Sequence, residues 1–180
     1  SSKHELIPFF VSGSLVYDAR NDIVNEALKE RADYILFIDS DITFEPDALE
    51  KLLSHNTDIV SGLYFGRREH NNNPIAYSKV YPKTLFRKCA KLDTIKDVDA
   101  PLQEVAAAGL GFCLIKMNVF YKMLCKNNMI FEPFRGMGED ISFFYRAKKM
   151  GFKVFLDSTI PLTHIGYKRY GKNDYLQNLI

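Results

Sequence analysis

A chain of 180 residues with 47% hydrophobic side chains is long enough to bury a sizeable core, and its length falls within one domain, taken as residues 1–180. Lysine and arginine number 24 against 22 acidic residues, a net charge of +2, so no global field points to nucleic acid or an anionic membrane, and any affinity for anions has to come from local arrangement. Three widely spaced cysteines, Cys89, Cys113 and Cys125, form no C-x-x-C pair and read as reduced core residues of a cytosolic protein, while no apolar stretch approaches the roughly 20 residues of a membrane span.

In chain order, LIPFFV (Leu6 to Val11) reads as a strand that Gly13 breaks. Asp18 to Ala32 then sets Ile23, Val24, Ala27 and Leu28 on one helical face. YILFI (Tyr34 to Ile38) is a continuous apolar run, the pattern of a parallel strand covered on both faces. A helix follows in EPDALEKLLSH, with Leu49, Leu52 and Leu53 on one side, and Asp58 to Phe65 is the next strand. This βαβαβ order predicts a doubly wound α/β sheet, mainly parallel, with helices on both faces. A polar loop, Gly66 to Pro74, leads into shorter strands up to about Ala108. The apolar run GLGFCLI precedes a helix from Asn118 to Cys125. Gly138 to Gly151 is predicted as a helix stopped by Gly151 in a left-handed cap, and FKVFLD as a final strand before a basic, aromatic tail.

The chemistry concentrates where YILFI ends, in Asp39-Ser40-Asp41. In an open α/β sheet the ligand crevice lies beyond the carboxyl ends of the strands. Side chains two apart on an extended chain point the same way, about 7 Å from each other, so both carboxylates would address one ligand while Ser40 faces away. Two like charges that close repel unless a cation joins them. A hard divalent ion, Mn²⁺ or Mg²⁺, fits oxygen ligands of this kind and would hold a diphosphate that the carboxylates alone would repel. The plain alternative is a pair of acidic residues at a loop entrance.

The blocks ARNDIVNEAL, YILFIDSDITFEPDALEKLL, DIVSGLYF, AAAGLGFCLIK, GMGEDISFFYRAKKMGFKVFLD and THIG resemble, in that order, those of glycosyltransferases with the GT-A fold. The likeness is to family-2-like enzymes of bacteria and phages, with some to Anp1-type mannosyltransferases, and it runs from Asp18 to Gly166. It implies a GT-A, Rossmann-like fold lacking its first β-α unit, and transfer of a sugar from a nucleotide-diphosphate donor, UDP-sugar being the commonest class, to an unidentified acceptor. It also implies metal ligation by Asp39, Asp41 and His164, and a donor site near Arg20, Asn21, Asp39 and Ser40.

Such a metal would act as Lewis acid for the departing diphosphate, with His164 as neutral imidazole. Asp140, at a helix start where the dipole favours an ionised carboxylate, is the candidate general base, with Glu139 as substitute. In a retaining enzyme both would instead orient substrate. Arg20 could fork onto a phosphate, or be a solvated helix residue. Lys168, Arg169 and Tyr170 could close over the diphosphate. Tyr64 and Phe65 suit either a sugar face or the core, and Arg67, Arg68 and Asn71 to Asn73 either acceptor contacts or a solvated loop. Two rival readings remain: a haloacid-dehalogenase-like phosphatase with Asp39 as nucleophile in D-x-D-x-T, and a catalytically inactive nucleotide-sugar-binding module.

Overall fold

The structure, a computed structural model, describes residues 4–13, 15–67, 72–127, 130–166 and 169–172. Its elements run α1 (Val16–Lys29), β1 (Tyr34–Ile38), β2 (Ile42–Phe44), α2 (Ala48–Ser54), β3 (Ile59–Gly62), β4 (Ala76–Tyr81), β5 (Lys91–Thr94), β6 (Gln103–Val105), β7 (Ala107–Ala108), β8 (Phe112–Lys116), α3 (Met117–Asn127), α4 (Glu139–Lys149), β9 (Val154–Asp157), β10 (Leu162–Ile165) and β11 (Arg169–Tyr170). None of its helices is long and apolar enough to cross a membrane, among the described residues.

A five-stranded mixed sheet in the order β1-β8-β3-β9-β6 carries the core. Strand β8 alternates between its two faces. Cys113 and Ile115 join Val24 of α1, Phe120 of α3 and Phe143 of α4 on one side. Phe112 and Leu114 join Ala48 and Leu52 of α2 on the other. Helices therefore cover both faces, and every β8 side chain from Phe112 to Ile115 is buried, as a strand without a solvent face requires. Phe120, Phe131 and Phe143 pack together with ring centroids 5.1 to 6.3 Å apart, Phe143 stacked on the other two.

Three sequence expectations fail here. YILFI, expected as a parallel strand covered on both faces, is β1 at the sheet edge, antiparallel to β8, with Ile35 and Phe37 buried and Ile38 exposed. The sheet is mixed but not mainly parallel: β8 inserts between β1 and β3 and runs antiparallel to both, so β3–β9 is the parallel pairing and β6–β9 is antiparallel. The β1-α2-β3 crossover keeps its two strands codirectional, yet a strand from much later in the chain takes the place between them. Leu6–Val11 is also not a strand. Leu6, Ile7, Phe9 and Phe10 are exposed. An apolar run becomes a strand only when a neighbour takes its backbone N–H and C=O groups, and no described strand does so.

Both long helix ends follow from local chemistry. Gly151 closes α4 at φ 89°, with Phe152 N–H reaching back to Ala147 O at 3.1 Å, as predicted. Arg31 does the same for α1 at φ 54°, a left-handed position taken without glycine. Of the cysteines, all free, Cys113 alone is buried; Cys89 and Cys125 are exposed and not core residues.

Candidate functional site

The Asp39-Ser40-Asp41 segment is a tight turn rather than an extended stretch. Asp39 N–H donates to Gly111 O at 2.9 Å, prolonging the β1–β8 ladder by one residue, and Ile42 N–H then returns to Asp39 O at 3.0 Å. The chain leaves the central sheet at this point: β2 pairs not with β1's neighbours but with β10, in a register that sets Ile42 opposite His164. Ile165 N–H donates to Asp41 O at 2.7 Å. Because the turn reverses direction between the two carboxylates, they do not point the same way. Each has its own surroundings.

Asp39 faces inward. Arg20, its side chain 8% exposed, projects from α1 and bridges Asp39 Oδ1 at 3.3 Å and Glu139 Oε1 at 2.8 Å. Its fork is thereby spent on two carboxylates, which ties α1, the turn and the first turn of α4 together. Asp140, beside Glu139 and half-buried, accepts the Ile141 N–H at 2.6 Å. Burial, and next the Glu139 charge, push its carboxyl up to about 6. The dipole at the start of α4 favours the ionised form, as expected from the sequence, but burial outweighs it. Under the turn lies Tyr64, whose Oη accepts the Gly111 N–H at 3.1 Å. Its phenol is pushed up by burial. A Cβ on Gly109 would stand 1.9 Å from Tyr64 Oη, and one on Gly111 would stand 2.9 Å from that oxygen and 3.1 Å from Asp39 Oδ2. The two glycines of GLGF are thus the space into which the tyrosine and Asp39 fit.

Asp41 turns toward an exposed arginine and a largely buried histidine. Its Oδ2 meets Arg67 Nη1 and lies 3.3 Å from His164 Nε2. His164 Nδ1 is 2.9 Å from Phe65 O. A carbonyl only accepts, so Nδ1 carries the proton, and in neutral imidazole the Nε2 lone pair faces Asp41. This is how a metal-binding histidine is held by its outer partner. The 3.3 Å gap is near the about 3 Å between adjacent ligands of a divalent ion with bonds of about 2.1 Å. Asp41 and His164 therefore fit such an ion as a pair. Asp39 does not join them: among the described residues, no group of three His, Cys, Asp or Glu could hold a metal ion. The predicted ligand set is brought together as two, with the third turned toward Arg20.

The other candidates divide. Asn21 is half-buried beside Arg20, and Ser40 is exposed at the turn. Lys168 lies outside the described residues, as do Arg68 and Asn71; Arg169 and Tyr170 form β11 against β10. Tyr64 and Phe65 are buried at 6% and 3% exposure and belong to the core, not to a sugar-binding face. Arg67 is the residue whose role the sequence left open. It follows the buried Tyr64-Phe65 pair by two, and Gly66 N–H to Asn73 O at 2.9 Å closes the loop base that aims it.

Comparison with known proteins agrees with part of this picture. The Anp1 family model matches residues 14–92, which include Arg20, Asn21 and the Asp39–Asp41 turn but neither Asp140 nor His164. No match was found among curated proteins. Among solved structures, the crystal structure of A197 from STIV superposes with a TM-score of 0.59 at 22% identity, over 86% of this chain and 69% of that one. At that identity the likeness is one of fold.

Proposed function

We propose that the chain is a single-domain glycosyltransferase of GT-A type that takes its sugar from a nucleoside-diphosphate donor, a UDP-sugar being the first to test. The observation that carries this reading is the turn itself: inside the segment matched by the Anp1 model, it ends the edge strand β1 and hands one carboxylate to the buried Arg20 and the other to His164 and the exposed Arg67. Structural acidic residues at a loop entrance do not need that division.

Asp41 and His164 would hold a Mn²⁺ or Mg²⁺ ion, which when bound supplies a Lewis acid for the departing diphosphate. The chain's own groups do the rest. Arg67, exposed and aimed at Asp41, offers a second positive charge at the phosphate end. Arg20 fixes Glu139, and through it the start of α4, so that Asp140 is held in place beside it. With its carboxyl near 6, Asp140 is ionised at neutral pH yet basic enough to take a proton from an acceptor hydroxyl. Glu139, engaged by Arg20, is the poorer base. Asn21 and Ser40 line the same end of the site and would contact the donor.

Calorimetric titration with UDP, GDP and CDP, each in Mn²⁺ and in EDTA, tests the reading. One nucleotide binding only with metal, and losing that binding in Asp41→Ala while the fold persists, is the expected result. Absence of binding by all three, together with metal-dependent release of phosphate from a generic phosphomonoester, would replace it with the phosphatase chemistry. Donor binding without turnover on any acceptor would leave a binding module.

A further inference from the structure

Far from the neutral average of the chain, the β4–β5 hairpin is strongly cationic. From Lys79 to Asp93 it carries Lys79, Lys83, Arg87, Lys88 and Lys91 against one carboxylate, Asp93, which pairs with Lys91 at 3.0 Å, so the remainder of the chain is net negative. Its tip is a closed turn: Thr84 N–H donates to Arg87 O at 3.0 Å, and Arg87 N–H returns to Thr84 O at 3.3 Å. The two central positions, which turns ordinarily give to glycine, asparagine or aspartate, hold Leu85 and Phe86. These are 99% and 101% exposed, the two most open large apolar side chains described. Neither turn conformation nor core packing accounts for them.

The tip is held rigidly rather than left loose. Arg87 Nη1 donates to Pro82 O at 3.2 Å, and its guanidinium lies 5.1 Å from the Tyr81 ring centre. Lys83 N–H donates to Arg135 O at 2.8 Å, anchoring the hairpin to the loop that runs into α4. Residues 83–89 are all exposed, so Leu85 and Phe86 stand at the end of a projection with Lys83, Arg87 and Lys88 set back from them.

We propose that this hairpin is a membrane-docking wedge, Leu85 and Phe86 entering the acyl boundary of an anionic bilayer while Lys83, Arg87 and Lys88 meet its lipid headgroups. The occupant follows from shape and charge. A stable protein interface buries about 800 Å² on each side, which a two-residue tip does not offer. A bilayer needs no matching pocket, accepts an apolar pair of any outline, and repays cations in its interfacial layer. The inference is independent of the transferase reading, since no candidate site residue belongs to the hairpin.

Co-sedimentation of the 180-residue chain with vesicles of phosphatidylcholine, with and without phosphatidylserine, tests it. Binding should require phosphatidylserine, weaken with added salt, and fall by roughly tenfold in Leu85→Ser/Phe86→Ser and again in Lys83→Ala/Lys88→Ala. All four side chains are exposed, so the fold, followed by circular dichroism, should not change. The chain has no tryptophan, so Phe86→Trp supplies a single indole, excited selectively over the tyrosines, whose emission should shift to the blue on adding the anionic vesicles. An unmoved spectrum, a serine variant that sediments like the parent, or binding to a soluble polyanion such as heparin but not to vesicles would each overturn the proposal.

Discussion

Asp39 and Asp41 are two residues apart in one turn and live in different electrostatic worlds. Asp39 is gripped by an arginine with 8% of its side chain exposed, which also holds Glu139. Asp41 meets an arginine 52% exposed and a histidine held by one backbone carbonyl. An arginine this buried fixes geometry, since the cation itself has little water to fall back on. An exposed pair exchanges partners cheaply. The inner half of the site is therefore built to position, and the outer half to let charges come and go.

The largest effect expected from breaking the inner half is on turnover. Asp140→Asn should keep donor binding and lose roughly a hundredfold or more in kcat, the usual contribution of a positioned base. Stability separates this from damage. The folded carboxyl, raised from 3.8 to about 6, binds its proton more tightly than the unfolded one, so the native chain loses stability as pH rises from about 4 to 6. Asn cannot ionise, and the variant should be at least as stable as its parent at pH 8 with a flatter profile across that window. For the parent, turnover should rise with pH through about 6. Unchanged kcat in the variant removes Asp140 from the base role.

Next in size is the clamp. Arg20→Ala strands Asp39 and Glu139 without their cation and should cost about 2–3 kcal/mol in urea denaturation, less than a fully buried pair because Asp39 remains 44% exposed. Arg20→Lys restores the charge but not the two-handed reach between α1, the turn and α4. It should recover part of the stability and little of the activity; full recovery of both would make the charge alone sufficient.

What was legible in the sequence tracks how local its cause is. The helices α1 and α4, the cap at Gly151 and the burial of GLGFCLI follow from periodicity and turn chemistry within a few residues. The bridge from Arg20 to Asp39 and Glu139 does not: the sequence offered Arg20 as a phosphate fork or a solvated helix residue, and only the fold brings the two carboxylates to it. The insertion of β8 between β1 and β3 was not legible either, because antiparallel and parallel neighbours demand the same apolar run. Nor was the parting of the carboxylates: it depends on β2 leaving for β10, a pairing of residues separated by some 120 positions, as between Ile42 and His164. Arg67 was ambiguous for the same reason. Only the folded chain says which carboxylate a loop arginine meets.

The smallest predicted effect tests the outer half most directly. Arg67 Nη1 and His164 Nε2 both address Asp41 Oδ2. A divalent ion held by Asp41 and His164 would compete with Arg67 for that carboxylate, and the guanidinium, half exposed, loses little by moving. Arg67→Ala should consequently tighten Mn²⁺ binding to the nucleotide-free chain by a few fold, the worth of one exposed ion pair, as read by electron paramagnetic resonance of the free ion. The same variant should bind the nucleotide more weakly, because the displaced arginine is no longer there to meet the diphosphate. Opposite shifts for metal and nucleotide are the signature of an exchangeable charge. If both weaken together, Arg67 is instead a support that orients Asp41, and the outer half is as fixed as the inner one.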